Sequence, residues 1–289
     1  MKKIKILIVG KSNVGKSSLI NYFTNNHTAL VSNKLHSTRI STSHPKIYNN
    51  THFEFIDTPG ASIEDNNLLS KAMKSNASKH ITSADLIILL TQPQAKYDFE
   101  LKIHNQIKEN NKEYILCVNK TDLDICEEYK DRLLQTLKKS SASFISVKES
   151  VGIDTLYELI QQQIHKNNIN GSELIDDKKN SIKIIQELIR ESVIKRTNKE
   201  LPYESAVYVS EYVEQAKSVS IKADIIVSKD NHKKIIIGKK GQMIKSIGIN
   251  SRELIENYLN IKTHLSLFVV VKVNWKNNSS LLKDIGYME

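Results

Sequence analysis

The run Gly10-Lys11-Ser12-Asn13-Val14-Gly15-Lys16-Ser17 decides how the first half of this chain is built. It fits the pattern GxxxxGK[ST], and both of its flanks agree with that reading. Residues 4–9 (IKILIV) are an apolar run of strand length, suited to a buried parallel strand. Residues 17–23 read as the opening of a helix. A loop between such a strand and helix turns its backbone N–H groups towards one point, where the helix dipole adds positive potential. Its glycines let the backbone curl around a phosphate with no Cβ in the way. Lys16 can then reach the terminal phosphates of a nucleotide, and the Ser17 hydroxyl can ligate Mg²⁺. A chance glycine loop would not need strand, helix, lysine and serine together.

Outward from that loop the chain alternates. Residues 28–45 are polar with few apolar anchors, a segment that is either a plain surface loop or a ligand-gated one. Residues 45–48 and 52–56 read as a strand pair joined at Asn49-Asn50, a turn-forming dipeptide. The second strand runs into Asp57-Thr58-Pro59-Gly60, a DxxG motif, followed by Ala61. An acidic residue at the end of such a strand is placed to bind Mg²⁺ through water. Helical spacing predicts helices over 68–83, 99–107, 127–140 and 153–165, and apolar runs predict strands over 85–90, 114–118 and 143–147.

The strand at 114–118 ends in Asn119-Lys120-Thr121-Asp122, an NKxD motif. A carboxylate there can accept from the N1–H and the exocyclic amine of guanine, a pair of donors that adenine lacks. A site built around a buried charged acceptor rejects the analogue that leaves it unpaired. Ser146-Val147 fall where a further guanine-contacting loop is expected. The predicted fold class is therefore α/β: a P-loop GTPase domain over 1–167, with a doubly wound, mostly parallel sheet and its ligand at the carboxyl ends of the strands. The motif set resembles the translation-factor class of GTPases.

Residues 168–180 are polar and read as a linker. Over 181–289 the order changes to helix (182–196), strand (206–213), strand (219–227), helix, helix (around 252–259) and strand (264–274). Between the two central helices lies Gly238-Lys239-Lys240-Gly241, a GxxG loop of the kind that clamps four nucleotides of single-stranded nucleic acid in KH domains. Ile235, Ile236, Ile237 and Ile244 are expected to flank the groove where bases lie. From Lys229 to Lys245 there are six lysines against one acid, Asp230. Lysines inside the loop itself favour RNA over a merely solvated face, with Ile237, Gly238, Lys239, Lys240, Gly241 and Lys245 as the contacting residues.

The bulk composition agrees. A length of 289 residues suits about two domains, and a net charge of +10 suits a polyanionic partner or an anionic membrane face. The two cysteines, Cys117 and Cys126, have no metal-ligand spacing, and Cys117 lies in an apolar run; a reducing cytoplasm is the natural compartment. No signal peptide is visible, and the apolar runs are too short to span a bilayer. A soluble protein is expected.

End to end, these features resemble the Era family of bacterial GTPases, which carry a C-terminal type II KH domain. Beyond the GTPase motifs the likeness includes Ala84-Asp85-Leu86-Ile87, Glu200-Leu201-Pro202-Tyr203, the stretch 236–248 (IIGKKGQMIKSIG), His264-Leu265, Trp275 and Gly286-Tyr287. The resemblance implies a GTP-hydrolysing switch, with GTP/GDP and Mg²⁺ as cofactors, that assists small-subunit (30S) ribosome assembly and holds the 3′ end of 16S rRNA in an α+β KH domain. It implies a monomeric cytoplasmic protein with peripheral contact to the inner membrane. Thr38, before Arg39, resembles the switch threonine that ligates Mg²⁺, with Ser37 as the neighbouring alternative. Asn13 matches the asparagine associated with K⁺-dependent GTPases. Lys16, Thr38 and Gly60 are then the catalytic group, and Ser17, Thr38 and Asp57 the Mg²⁺ ligands. The chain departs from the family at His36-Ser37, at Ala61, at Val147 and in its short proline-free linker. The rival readings are a small-molecule kinase, which NKxD disfavours, and a membrane- or protein-directed GTPase whose KH-like part is a docking module.

Overall fold

The computed structural model describes residues 3–25, 29–30, 38–48, 51–59, 67–94, 96–123, 127–169, 171, 177–197 and 200–288. The expected sites Gly60 and Ala61, the alternative Ser37, the Asn49-Asn50 turn, Cys126 and residues 170 and 172–176 of the expected linker lie outside these. The chain divides into two compact units: Met1–Thr24 with Ser43–Ser62 and Ser75–Ile175, and Asn25–Thr42 with Ile63–Lys74 and Asp176–Glu289.

The first unit is built on a six-stranded sheet. Its strands are β1 (Ile4–Val9), β2 (Thr42–Tyr48), β3 (Thr51–Asp57), β4 (Leu86–Thr91), β5 (Tyr114–Val118) and β6 (Ser143–Phe144), in the order β2-β3-β1-β4-β5-β6. β1 pairs in parallel with β3 and β4, β4 with β5, and β5 with β6. Every residue of β4 and β5 is buried, as expected of central strands covered on both faces. Its helices are α1 (Lys16–Thr24), α3 (Asp98–Glu109), α4 (Glu127–Leu137) and α5 (Ile153–Lys166), with α2 (Leu68–Ser83) from residue 75 onward, the earlier part of α2 being grouped with the second unit. Leu7, Val9, Leu89 and Leu116 share one core with Ile103 and Ile107 of α3 and Leu133 and Leu137 of α4. On the other face Phe23 of α1 stacks on Phe55 of β3 at 4.8 Å and meets Tyr157 of α5 edge-on at 4.7 Å.

β6 is shorter than the run 143–147 suggested. Beyond Phe144 the chain leaves the sheet, and Ser146 instead forms a backbone bridge with Val151. α6 (Asp177–Arg196) begins inside the span expected to be linker. Residues 177–180 (DKKN) offer no apolar side chain, so the first turn of that helix carries no periodic signal.

The second unit continues with α7 (Leu201–Glu204), β7 (Ser205–Gln215), β8 (Ser218–Val227), α8 (Asp230–Ile237), α9 (Gln242–Leu259), β9 (Lys262–Val271) and α10 (Ser279–Ile285). β8 lies between β7, antiparallel, and β9, parallel. The helix, strand, strand, helix, helix, strand order is as predicted, with α7 and α10 added. α6 packs through Ile185, Leu188 and Ile189 against Val207 and Ile221 of this sheet and Ile255 of α9. Gln186 of the same helix donates to the Ile285 carbonyl at 2.9 Å and accepts from the Val209 amide at 3.3 Å. α9 is more than twice as long as the predicted segment. Gly248 lowers helical propensity at its centre, but its bare backbone lies near Leu267 of β9, where an added Cβ would sit 3.7 Å from Leu267 Cδ1.

Candidate functional site

The loop between β1 and α1 is closed by its own lysine. Lys16 is 6% exposed, and its ammonium donates to the Gly10 carbonyl at 3.2 Å and the Lys11 carbonyl at 2.9 Å. Burial pulls its pKa down from 10.5 to about 8, with Asp57 acting in the opposite direction. A buried cation with two carbonyl partners gains most from an anion brought to it. Next to it the Ser17 hydroxyl donates to Asp57 Oδ2 at 2.7 Å, and Asp57 is fully buried. Thr58 ties the DxxG segment to β1 through its hydroxyl and the Ile8 carbonyl, 3.0 Å. These are two hard oxygens converging at the head of a helix, beside the lysine.

The guanine motif is bolted to the same loop. Asn119 Nδ2 donates to the Val14 carbonyl at 2.8 Å, and Lys120 Nζ to the Asn13 carbonyl at 2.7 Å. Asn119 Oδ1 accepts from the Val147 amide at 3.1 Å. Gly15 holds φ +99°, and a Cβ there would lie 2.3 Å from Asn119 Nδ2, so only glycine fits beneath the asparagine. Asp122 is not the buried acceptor expected: it lies in the exposed part of the loop beyond β5, with its side chain 19% exposed. Ser146 donates to Asp122 Oδ1 at 2.7 Å, and this bond is the main cause holding the carboxyl below its usual range. Gly10, Lys11, Asn13, Val14, Gly15, Lys16, Ser17, Asp57, Thr58, Asn119, Lys120, Asp122, Ser146 and Val147 are thus joined by contacts within one unit. Ser12 and Thr121 are set in the same two loops. Pro59 follows Thr58 directly.

Thr38 is buried and belongs to the segment grouped with the second unit. Its neighbour Arg39 is anchored there more heavily than any sequence signal suggested. Arg39 is 4% exposed and donates to the carbonyls of Ser205 (2.7 Å), Pro202 (3.1 Å) and Tyr203 (2.8 Å). Its guanidinium also lies 5.8 Å from the Trp275 ring centre.

In the second unit the residues 238–241 form a single tight turn between α8 and α9. Gly238 has φ +71°, and a Cβ would lie 2.6 Å from Met243 Cβ. Lys240 is itself left-handed at φ +49°. Lys239, Lys240 and Lys245 are exposed, an arrangement that presents ammonium groups to solvent rather than to the protein. The expected apolar wall is corrected for all three consecutive isoleucines: none of Ile235, Ile236 and Ile237 lines the open groove, and Ile236 is fully buried in the core with Val227 and Ile247, because α8 turns that face inward. Ile235 is exposed and Ile237 half-buried. The open groove, about 560 Å³, lies between α9 and β9 and is lined by Ile244, Lys245, Gly248, Ile249, Arg252 and residues 263–267. The sequence pattern did not point to Gly248, Ile249, Arg252 or the β9 residues. Positions 245, 248, 249 and 252 have helical i, i+3, i+4, i+7 spacing, a signal that would have found the α9 side.

Residues 5–120 match the family described as 50S ribosome-binding GTPase, and residues 200–276 match the KH domain family. A GTPase Era of Lactobacillus helveticus is 33% identical over 98% of this chain and 95% of its own length. The chain belongs to the Era family of GTPases. A second Era relative, from Fusobacterium nucleatum, is 32% identical and covered in full by this chain. Among solved structures, this Era-family chain is similar to an Aquifex aeolicus Era variant bound to GDP·AlF4⁻, at 28% identity and TM-score 0.87, with both chains covered in full. It is also similar to Era in complex with MgGDPNP and nucleotides 1506–1542 of 16S ribosomal RNA, at 28% identity, TM-score 0.86 and the same full coverage. In these two neighbours the ligands are a guanine nucleotide and, in one, RNA.

Proposed function

We propose that this chain is a switch that binds and hydrolyses GTP, binds the 3′ end of 16S rRNA through its KH domain, and assists assembly of the 30S subunit. The observation that carries the reading is the joint presence of two structures in one chain. One is a lysine-and-carboxylate phosphate site bolted to a guanine loop; the other is a basic GxxG turn beside an open groove. Similarity to Era solved with 16S rRNA supports the RNA half.

In this reading Lys16 and the loop amides stabilise charge developing on the γ-phosphate. Ser17 Oγ and Asp57 Oδ2, 2.7 Å apart, are hard oxygens that suit Mg²⁺, and Thr38 is the proposed third ligand. Mg²⁺, when bound, neutralises charge on the β- and γ-phosphates. Gly60 senses the γ-phosphate, while Ala61 has no group to orient water. The Asn13 side-chain amide would hold K⁺ beside the β–γ bridge. Functionally, residues 1–167 form the nucleotide domain and the RNA-binding domain runs from α6 to residue 289. We extend the reading to a monomeric cytoplasmic protein with a peripheral inner-membrane fraction. Among the described residues no helix is long and apolar enough to cross a membrane.

Sequencing RNA crosslinked to the protein in cells tests the RNA half. Enrichment of the 16S 3′ end is expected. Its absence overturns the rRNA assignment while leaving GTP hydrolysis to be judged separately.

A further inference from the structure

At the edge of the first unit's sheet, β2 and α5 bound a groove of about 460 Å³ whose lining includes Tyr48, Asp154, Tyr157, Glu158 and Gln161. None of these residues belongs to the nucleotide site or the RNA groove. The wall is an aromatic column: Tyr48 stacks on Tyr157 with ring centres 4.5 Å apart, and Tyr157 meets Phe23, which stacks on Phe55 in the core. Tyr48, at its outer end, is 39% exposed. Tyr157 is only 9% exposed, yet its hydroxyl, like Gln161 Nε2, is shut away from solvent with no hydrogen-bond partner among the described residues. Both residues line the groove, so its wall carries buried polar groups that the described residues leave unsatisfied. Asp154 and Glu158 stand four residues apart on one face of α5. Both are exposed, and neither makes an ion pair among the described residues. Lys46, on the same face of β2 as Tyr48, does not line the groove. In a chain of net charge +10, this is a locally acidic, aromatic recess.

We propose that this groove docks an arginine side chain carried on a basic segment of a partner protein. A guanidinium stacks on an exposed tyrosine face and donates in a fork to carboxylates, which an ammonium cannot match. Two carboxylates with no cation between them repel a phosphate backbone, so nucleic acid is the wrong occupant.

The test titrates acetyl-Gly-Arg-Gly-amide into the full-length, isotope-labelled protein and follows amide shifts along α5, with the citrulline peptide and spermidine as comparisons. Saturable shifts at residues 154–161 are expected, at least tenfold weaker for citrulline, which keeps the shape and loses the charge. A protein carrying Asp154→Asn with Glu158→Gln should bind at least tenfold more weakly, and Tyr48→Ala severalfold more weakly. All three positions are exposed, and the variants should hydrolyse GTP and bind RNA like wild type. Absence of saturable shifts on α5 would overturn the proposal. So would equal binding of citrulline, equal binding by the doubly substituted protein, or spermidine binding as tightly as the peptide.

Discussion

Two loops in this chain join glycine to lysine, residues 10–17 and 238–241, and they are built in opposite ways. In the first, Lys16 is buried and tied to two carbonyls of its own loop, and the loop is braced from outside by Asn119 and Lys120. In the second, Lys239 and Lys240 are exposed, and the turn includes no buried residue. A preformed, desolvated site discriminates among ligands because any mismatch leaves a buried group unpaired. An exposed basic turn binds backbone charge with little regard to which base follows. The same two residue types therefore serve selection in one unit and attachment in the other.

The sharpest way to break that contrast is at Asp122. Asp122→Asn should weaken GTP binding on the order of a hundredfold, since an acceptor facing guanine becomes a donor, while XTP binding improves. RNA affinity of the same variant should not move. Competition between GTP and XTP measures this, and an unchanged preference for GTP would refute the guanine assignment.

A smaller effect is expected from pH. The free Lys16 ammonium titrates near 8, against 10.5 for an unperturbed lysine. Between those values the unfolded state holds more protons than the folded one, so this group's contribution to stability rises with pH across that window. Bound phosphate favours the charged form, so nucleotide affinity should fall as pH passes 8, by about tenfold at pH 9 relative to pH 7. Titrating a fluorescent GDP analogue at several pH values reads this directly, and Lys16→Met should remove the trend.

On the other side of the comparison, Lys239→Ala with Lys240→Ala should weaken single-stranded RNA binding severalfold. The slope of log K against log salt should flatten by about 0.7 for each phosphate left without its lysine, with GTP binding unaffected. Wild-type affinity for the 16S 3′ end at every salt concentration would remove this loop from the RNA site. The smallest expected change concerns Asn13: GTP turnover should be a few times faster in KCl than in NaCl at equal ionic strength. Asn13→Ala should erase the difference.

Where side-chain periodicity carried the information, the elements were legible. β5 has the predicted bounds, and α2 and α5 are within a residue of theirs, because buried strands and amphipathic helices write their burial into the order of residues. α7, with only four residues, was not legible, since a single turn has no period. The first turn of α6 and the first ten residues of α9 escaped for lack of apolar spacing or because of Gly248. Ile236 was expected in the RNA groove because three consecutive isoleucines do not say which one the helix turns inward.

By itself the sequence determined the chemistry of both sites. GxxxxGK[ST], DxxG and NKxD name the groups that can meet phosphate, metal and guanine, and the lysine-flanked GxxG names a polyanion clamp. What only the tertiary structure decided is how those groups hold one another. Asn119 reaches across 105 residues to brace Val14, Ser146 orders Asp122, and Arg39 is fastened by carbonyls more than 160 residues away. The β2–α5 recess is lined by Tyr48 and Tyr157, which stack on each other. Motifs are local because ligand chemistry is local; bracing, burial and unpaired atoms arise where distant segments meet, and no single stretch of residues records them.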